Sequence, residues 1–127
     1  MIKNIVYLVS EDWYFLSHRL ALAIAAKNAG YDVHVACRDS GRSDEIKKHG
    51  LKYYKLINKR GYSSPLNILG SVKEIKTIIK SINPSLLHAV SIQGIVLGLL
   101  ATLFNKKIQV IAAITGLGSI FLARSIK

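Results

Sequence analysis

The sequence predicts an α/β protein, an open parallel sheet with helices packed on both of its faces. Three observations carry this. Five short β-rich runs alternate with four helical stretches. The strongest run, Ile5-Val-Tyr-Leu-Val9, is apolar at consecutive positions rather than at every second one. Glycine or proline punctuates most of the passages between runs. Consecutive apolar residues mark a strand buried on both faces, the pattern of a parallel sheet. Strict strand–helix alternation supplies the crossovers that parallel pairing requires.

Taken in order, Ile5–Val9 is the first strand. Ser10-Glu-Asp-Trp-Tyr14 is expected to be a polar, aromatic loop. Phe15–Ala29 reads as a helix, with Leu16, Leu20, Ala23 and Ile24 or Lys27 at three- and four-residue steps, and Gly30 as its stop. Asp32–Cys37 alternates as a second strand. Ser43-Asp44-Glu45 opens a short helix ending at Gly50, and Leu51–Ile57 is a third strand. After the loop Asn58–Ser64, Pro65 suits the first turn of a helix. There Ile68, Val72, Ile75, Ile79 and Ile82 form one apolar stripe, and Asn83-Pro84 ends it. Leu86–Val90 is a fourth strand. Gln93–Phe104 is a fourth helix with Gly94 and Gly98 on one face for close packing. Ile108–Ile114 is a fifth strand, followed by the turn Thr115-Gly-Leu-Gly118.

Composition narrows the class. A chain of 127 residues, half of them apolar, is read as one folded domain. A single cysteine excludes an intramolecular disulfide and a multi-thiolate zinc site, which fits a reducing, cytoplasmic setting. The formal net charge of +11 is unevenly spread. Residues 1–45 hold five bases and six acids, whereas residues 46–127 hold thirteen bases and one acid, Glu74. That surplus suits an anionic partner or a solvated lysine-rich surface. The weakly polar stretch Ile92–Phe104 has 13 residues, against the roughly 20 that cross a bilayer. The amino-terminal run is short, β-rich and without a small-residue cleavage pattern, unlike a signal peptide.

Ligands of open parallel sheets bind beyond the carboxyl ends of the strands, so the loops that follow strands are the candidates. The first lacks G-x-G-x-x-G, and no phosphate-binding G-x-x-x-x-G-K-[ST] occurs, which argues against a nucleotide fingerprint. It offers Glu11, Asp12, Trp13, Tyr14, His18 and Arg19. Trp13 and Tyr14 suit stacking on a sugar or lying at a membrane interface, or else capping the sheet. His88 lies near the end of its strand, either as a core histidine or at the cleft. Thr115, Gly116 and Gly118 would let backbone amides approach a phosphate or a hydroxyl-rich ligand. Four scattered histidines and one cysteine have no metal-ligand spacing, and no G-x-S-x-G elbow is present. Opposite the isoleucine stripe, Lys73, Lys76 and Lys80 share a helix face suited to an anionic membrane surface or to water. That face is expected to lack bulky apolar residues, which argues against deep insertion.

Val9-Ser-Glu-Asp-Trp-Tyr-Phe-Leu-Ser-His-Arg19 closely resembles the first strand–loop segment of GT-B-type, family 4-like glycosyltransferases. Within them the chain looks closest to bacterial enzymes that extend lipid-linked sugars for surface polysaccharide. Gly30–Ala36, Leu87-His-Ala-Val-Ser91 and Thr115–Gly118 support the resemblance, which covers nearly the whole chain. It implies a Rossmann-like open parallel sheet, the N-terminal half of a GT-B fold. Residues 1–127 would be the acceptor-side domain, incomplete at its end, with the C-terminal donor domain absent. The resemblance further implies that His18 and Arg19 face the cleft, with His18 the catalytic candidate, and that His88 supports it. Trp13 and Tyr14 would contact the acceptor sugar or its lipid, with Glu11 and Asp12 beside them. Thr115, Gly116 and Gly118 would line the cleft near donor phosphates or acceptor. No resident cofactor is implied; a nucleotide-sugar is the co-substrate of the complete enzyme. The expected partners are a lipid-linked or glycan acceptor, an anionic membrane surface, and a separate chain carrying the donor domain. Half a cleft cannot supply the charge stabilisation that nucleotide departure needs, so the chain alone is expected to be inactive. The alternative is a basic α/β module that binds membrane or nucleic acid without catalysis. Nucleic acid is disfavoured, because no helix-turn-helix signature or aromatic platform accompanies the lysines.

Overall fold

The computed structural model describes residues 3–57 and 65–114. The loop Asn58–Ser64 and the turn Thr115–Gly118 lie outside them. The elements run β1 (Asn4–Glu11), α1 (Asp12–His18), α2 (Leu20–Asn28), β2 (Asp32–Arg38), α3 (Ser43–Lys48), β3 (Lys52–Lys55), α4 (Pro65–Ile82), β4 (Leu86–Val90), α5 (Ser91–Ala101) and β5 (Gln109–Ala113). The five strands form one parallel sheet in the order β3-β2-β1-β4-β5. This is the Rossmann-like arrangement, in which the chain winds outward from β1 first to one side and then to the other.

Alternation along the strands divides the core. Ile5, Tyr7, Val9, Val33, Val35 and Cys37 face one way, against Phe15 of α1, Ala23 of α2 and Ile46 of α3. Val6, Leu8, Ala36 and Leu87 face the other way, against Ile75, Ile79 and Ile82 of α4 and Ala101 of α5. Each isoleucine so buried contributes about 1.5–3 kcal/mol. The predicted stripe on α4 is therefore its core face, with Ile68 and Val72 half-buried where the helix begins.

The helix stops follow from local chemistry. Gly30 has φ 101, its N–H bonds to the carbonyl of Lys27, and the N–H of Tyr31 bonds to that of Ala26. That pair of bonds closes a Schellman motif, which needs a left-handed residue and so favours glycine. Asn83 takes φ 55 immediately after α4, and Pro84 prevents its continuation.

Three expectations change. The residues read as a loop, Ser10–Tyr14, are instead the end of β1 and the first turn of α1. The single helix expected over Phe15–Ala29 breaks at Arg19, whose φ and ψ of −126 and −9 are not helical. The fourth helix ends at Ala101 rather than Phe104. Thr102 donates its hydroxyl to the carbonyl of Gly98, the chain turns, and Phe104 is left 91% exposed.

Candidate functional site

The strand order reverses between β1 and β4, which is where the crevice of a doubly wound sheet opens. Both strand ends there are irregular. Leu8 pairs with Ala36 and Glu11 with Arg38, so β1 carries one residue more than β2 over this stretch. Such a bulge re-aims the side chains around it, here Ser10 and Glu11. On β4, the step into α5 passes through Ser91 with φ 69, a left-handed conformation costing a non-glycine residue about 1–3 kcal/mol. Val90 provides no side-chain cap for α5, whose first N–H groups, like those of any helix, have no partner within the helix.

Between these ends lies a small pocket of about 50 Å³, lined by Ser10, Arg38, Gln93, Gly94 and Glu74. Gly94 approaches β1 so closely that a Cβ would stand 3.4 Å from the carbonyl oxygen of Leu8. Arg38 holds its guanidinium 3.9 Å from Glu11, and Glu74 accepts the N–H of Ile57 at 2.9 Å. Sequence reasoning picked out these strand-end loops, but Ser10, Arg38, Gln93 and Glu74 escaped it. Their available signal is position: Ser10 and Arg38 sit at strand ends, Gln93 in the first turn of α5 and Glu74 on α4 beside them.

The first turn of α1 sorts the predicted acceptor residues. Asp12 is fully buried, and its carboxylate accepts four hydrogen bonds. The N–H of Trp13 (2.8 Å) and the hydroxyl of Ser40 reach Oδ1; the N–H groups of Ser40 (3.0 Å) and Arg42 (2.8 Å) reach Oδ2. Burial alone would raise its pKa, but the Ser40 hydroxyl and the three backbone donors outweigh burial and hold it below the ordinary carboxylate range. Asp12 thus ties α1 to the loop after β2, and its oxygens are turned away from solvent.

Trp13 is 46% exposed, so it does not cap the sheet. It meets Tyr14 edge-on with centroids 5.8 Å apart, and Tyr14 stacks on His18 at 4.2 Å and 12°. His18 Nδ1 lies 2.7 Å from Ser17 Oγ and 3.3 Å from the carbonyl of Tyr14. The hydroxyl can donate or accept and the carbonyl only accepts; in the tautomer that bonds to both, Nδ1 carries the proton and Nε2 the lone pair. The result is an aromatic row with Trp13 and His18 exposed and Tyr14 half-buried between them.

Arg19 and His88 go elsewhere. His88, only 8% exposed, stacks on Tyr7 at 4.9 Å and 30° in the layer beneath α1 and α2. Its Nε2 meets no hydrogen-bond partner among the described residues, and neither does the buried Nε of Arg19. Burial, then the nearby Arg19 charge, lowers the pKa of His88, so its ring is neutral near pH 7. His88 lines a broad groove of about 560 Å³ with Tyr7, Leu86 and Ile111. It sits within the sheet face, two residues before the end of β4.

Lys73, Lys76 and Lys80 are exposed on α4 as expected. The expectation that their face lacks bulky apolar residues is overturned. Leu66 and Leu69 are exposed on the same stripe, and Leu100, Leu103 and Phe104 share a groove with Lys76 and Lys80. Thr115, Gly116 and Gly118 lie outside the described residues. Among the described residues no three His, Cys, Asp or Glu side chains converge as metal ligands, and no helix is long and apolar enough to cross a membrane.

Comparison with known proteins adds to this geometry. A family model described as "Glycosyl transferase 4-like" matches residues 4–126. Among solved structures, a glycosyltransferase from Rickettsia africae ESF-5 is similar at 18% identity and TM-score 0.72, over 87% of this chain and 29% of its own. MurG of Acinetobacter baumannii is similar at 17% identity and TM-score 0.71, over 96% of this chain and 39% of its own. A UDP-N-acetylglucosamine 2-epimerase is similar at 12% identity and TM-score 0.62, over 88% of this chain and 33% of its own. These likenesses show the fold, a Rossmann-like unit of the GT-B kind, and this chain spans well under half the length of each. No curated protein matches the chain.

Proposed function

The chain belongs to the glycosyl transferase 4-like family, and from that premise we propose that it is the acceptor-side half of an enzyme moving a sugar from a nucleotide-sugar to a glycan or lipid-linked acceptor in surface polysaccharide synthesis. The observation that carries the acceptor assignment is the row Trp13, Tyr14 and His18, exposed at Trp13 and His18 and set on a helix that starts where β1 ends. Aromatic faces stack on the apolar faces of sugar rings. A lone pair on His18 Nε2 can accept the proton of an acceptor hydroxyl as it attacks. Ser10 and Gln93 offer hydrogen bonds to other hydroxyls. The donor's nucleotide belongs to a second domain in this reading, supplied by the same polypeptide or by a partner chain. The Lys73, Lys76 and Lys80 face turns toward an anionic cytoplasmic membrane surface, which brings a lipid-linked acceptor to the crevice.

Trp13 is the single tryptophan, so its fluorescence reports on the proposed site directly. Titrating the chain with a short-chain lipid-pyrophosphate glycan should give a saturable change that Tyr14→Ala and His18→Ala weaken. Saturable binding of nucleotide-sugars with none of the glycan would overturn the acceptor assignment. Robust sugar transfer by the chain alone would overturn its being half of a site.

A further inference from the structure

Helices α1, α2 and α3 pack on one face of the sheet against β1 and β2. Beyond them, over β4 and β5, the same face carries the groove of about 560 Å³. Strand residues Ile5, Leu86 and Ile111 line it, with Leu22 and Ala26 of α2 beside them. Its charged lining residues are Lys3 and Lys107, and no acid is among them. Toward the carboxyl ends of the strands, Tyr7, His88 and Ile111 stand side by side across β1, β4 and β5.

Two buried polar atoms meet at this end of the groove. His88 is 8% exposed and held by its stack on Tyr7, yet its Nε2 has no partner among the described residues, and the same is true of Arg19 Nε. Burial dominates the pKa of both Tyr7 and His88, and the Arg19 charge is the second influence on each, which places the guanidinium close to both rings. A guanidinium cannot shed its proton to relieve burial, so a buried one calls for a counter-charge. The seven acids of the chain are engaged elsewhere. Glu11 pairs with Arg38, Asp32 with Lys52, Asp44 with Lys47 and Glu45 with Arg42. Asp12 is spent on the loop after β2, and Asp39 and Glu74 accept the N–H groups of Gly41 and Ile57. Orphaned polar atoms on an arginine and a histidine, at the end of an apolar groove without acids, complement an oxyanion carried on an apolar body.

We propose that Arg19 and His88 form an oxyanion subsite for a phosphate group of the acceptor, with the carbon chain beyond that phosphate lying along the groove over β4 and β5. The inference rests on the acceptor reading above and deepens it. It divides the acceptor between two places, the sugar at the Trp13 and Tyr14 row and the phosphate where α1 and α2 break at Arg19. His18 and Arg19 are consecutive, so one short stretch of chain addresses both parts of the ligand.

Titrating the chain with farnesyl diphosphate, followed by calorimetry and by the NMR signals of the His88 ring, tests this. Saturable binding that shifts those signals is expected. It should weaken about tenfold or more in Arg19→Met, less in Arg19→Lys, which keeps the charge, and also in His88→Phe. Thermal midpoints of Arg19→Met and His88→Phe should hold or rise, because each removes an orphaned buried atom, and this separates lost binding from lost fold. Uridine diphosphate binding as tightly as farnesyl diphosphate would overturn the assignment to the acceptor. Binding undiminished in Arg19→Met, or displacement by acetate as effective as by inorganic diphosphate, would overturn the phosphate subsite. Absence of diphosphate binding would overturn it too. If a glycan without diphosphate still changes the Trp13 fluorescence in that case, the acceptor reading stands without this subsite.

Discussion

Asp12 accepts the backbone N–H of Arg42 at 2.8 Å, across 30 positions of sequence. Together with the bonds from Ser40, this makes one buried carboxylate the clamp between the start of α1 and the loop after β2. Asp12→Ala leaves those donors unpaired, at about 1–3 kcal/mol for each that stays buried. Asp12→Asn keeps one acceptor oxygen and should cost less. Urea unfolding should rank the wild type above Asn and Asn above Ala. Equal midpoints would show that the clamp is idle. The carboxyl pKa is depressed in the fold, so the clamp's stabilisation is full above the unfolded value of about 3.9 and is lost as pH falls through the lower folded value.

A second pH dependence lies nearer neutrality. His88 and His34 both have lowered pKa values, in each case chiefly through burial; for His34 the neighbouring Asp32 offsets this only in part. Below about pH 6.5 the unfolded chain therefore binds protons that the folded chain does not. Stability is full above that pH and declines as pH drops toward the folded values. Thermal midpoints measured between about pH 7.5 and 5 should fall, and His88→Phe, which can keep the stack on Tyr7, should flatten the slope. A flat wild-type profile over that window would refute this.

Gly98 sets the distance of α5 from the sheet. A Cβ there would stand 3.1 Å from Leu87 Cδ2 and 3.3 Å from Leu8 Cδ2, both on buried side chains. Gly98→Val should destabilise the chain by about 1–3 kcal/mol through overpacking. Calorimetry showing an unchanged or raised midpoint would mean that α5 can lift without cost.

The row at the crevice separates binding from chemistry. In an assembly competent for sugar transfer, His18→Gln should lower kcat by about 10²–10⁴-fold if Nε2 takes the acceptor proton. Tyr14→Leu should act mainly on acceptor KM. The reverse pattern would reassign His18 to acceptor binding.

Much of this fold was legible because its signals are local. Consecutive β-branched residues mark β1, the isoleucine spacing marks the core face of α4, and Gly30 and Asn83-Pro84 mark helix ends. What escaped depends on residues far apart in sequence. Asp12 reads as a cleft carboxylate until its partners near residue 40 are in view. The bulge at the end of β1 shows only in its register with β2. Phe104 reads as helical because nothing in Ala-Thr-Leu-Phe states that Thr102 will turn its hydroxyl back to Gly98. The site was legible to the level of the strand-end loops, and its pocket-lining members required the packing of α4 and α5.

Cys37 lies fully buried among the strands, and burial followed by the charges of Asp12, Glu11 and Asp39 pushes its thiol pKa far up. At neutral pH it is a shielded, protonated thiol and therefore a poor nucleophile. The native chain is in effect already cysteine-free to a maleimide. A fluorophore or spin label attached through one new cysteine on any exposed element would report from a single known address, with the sulfur of β2 left in place.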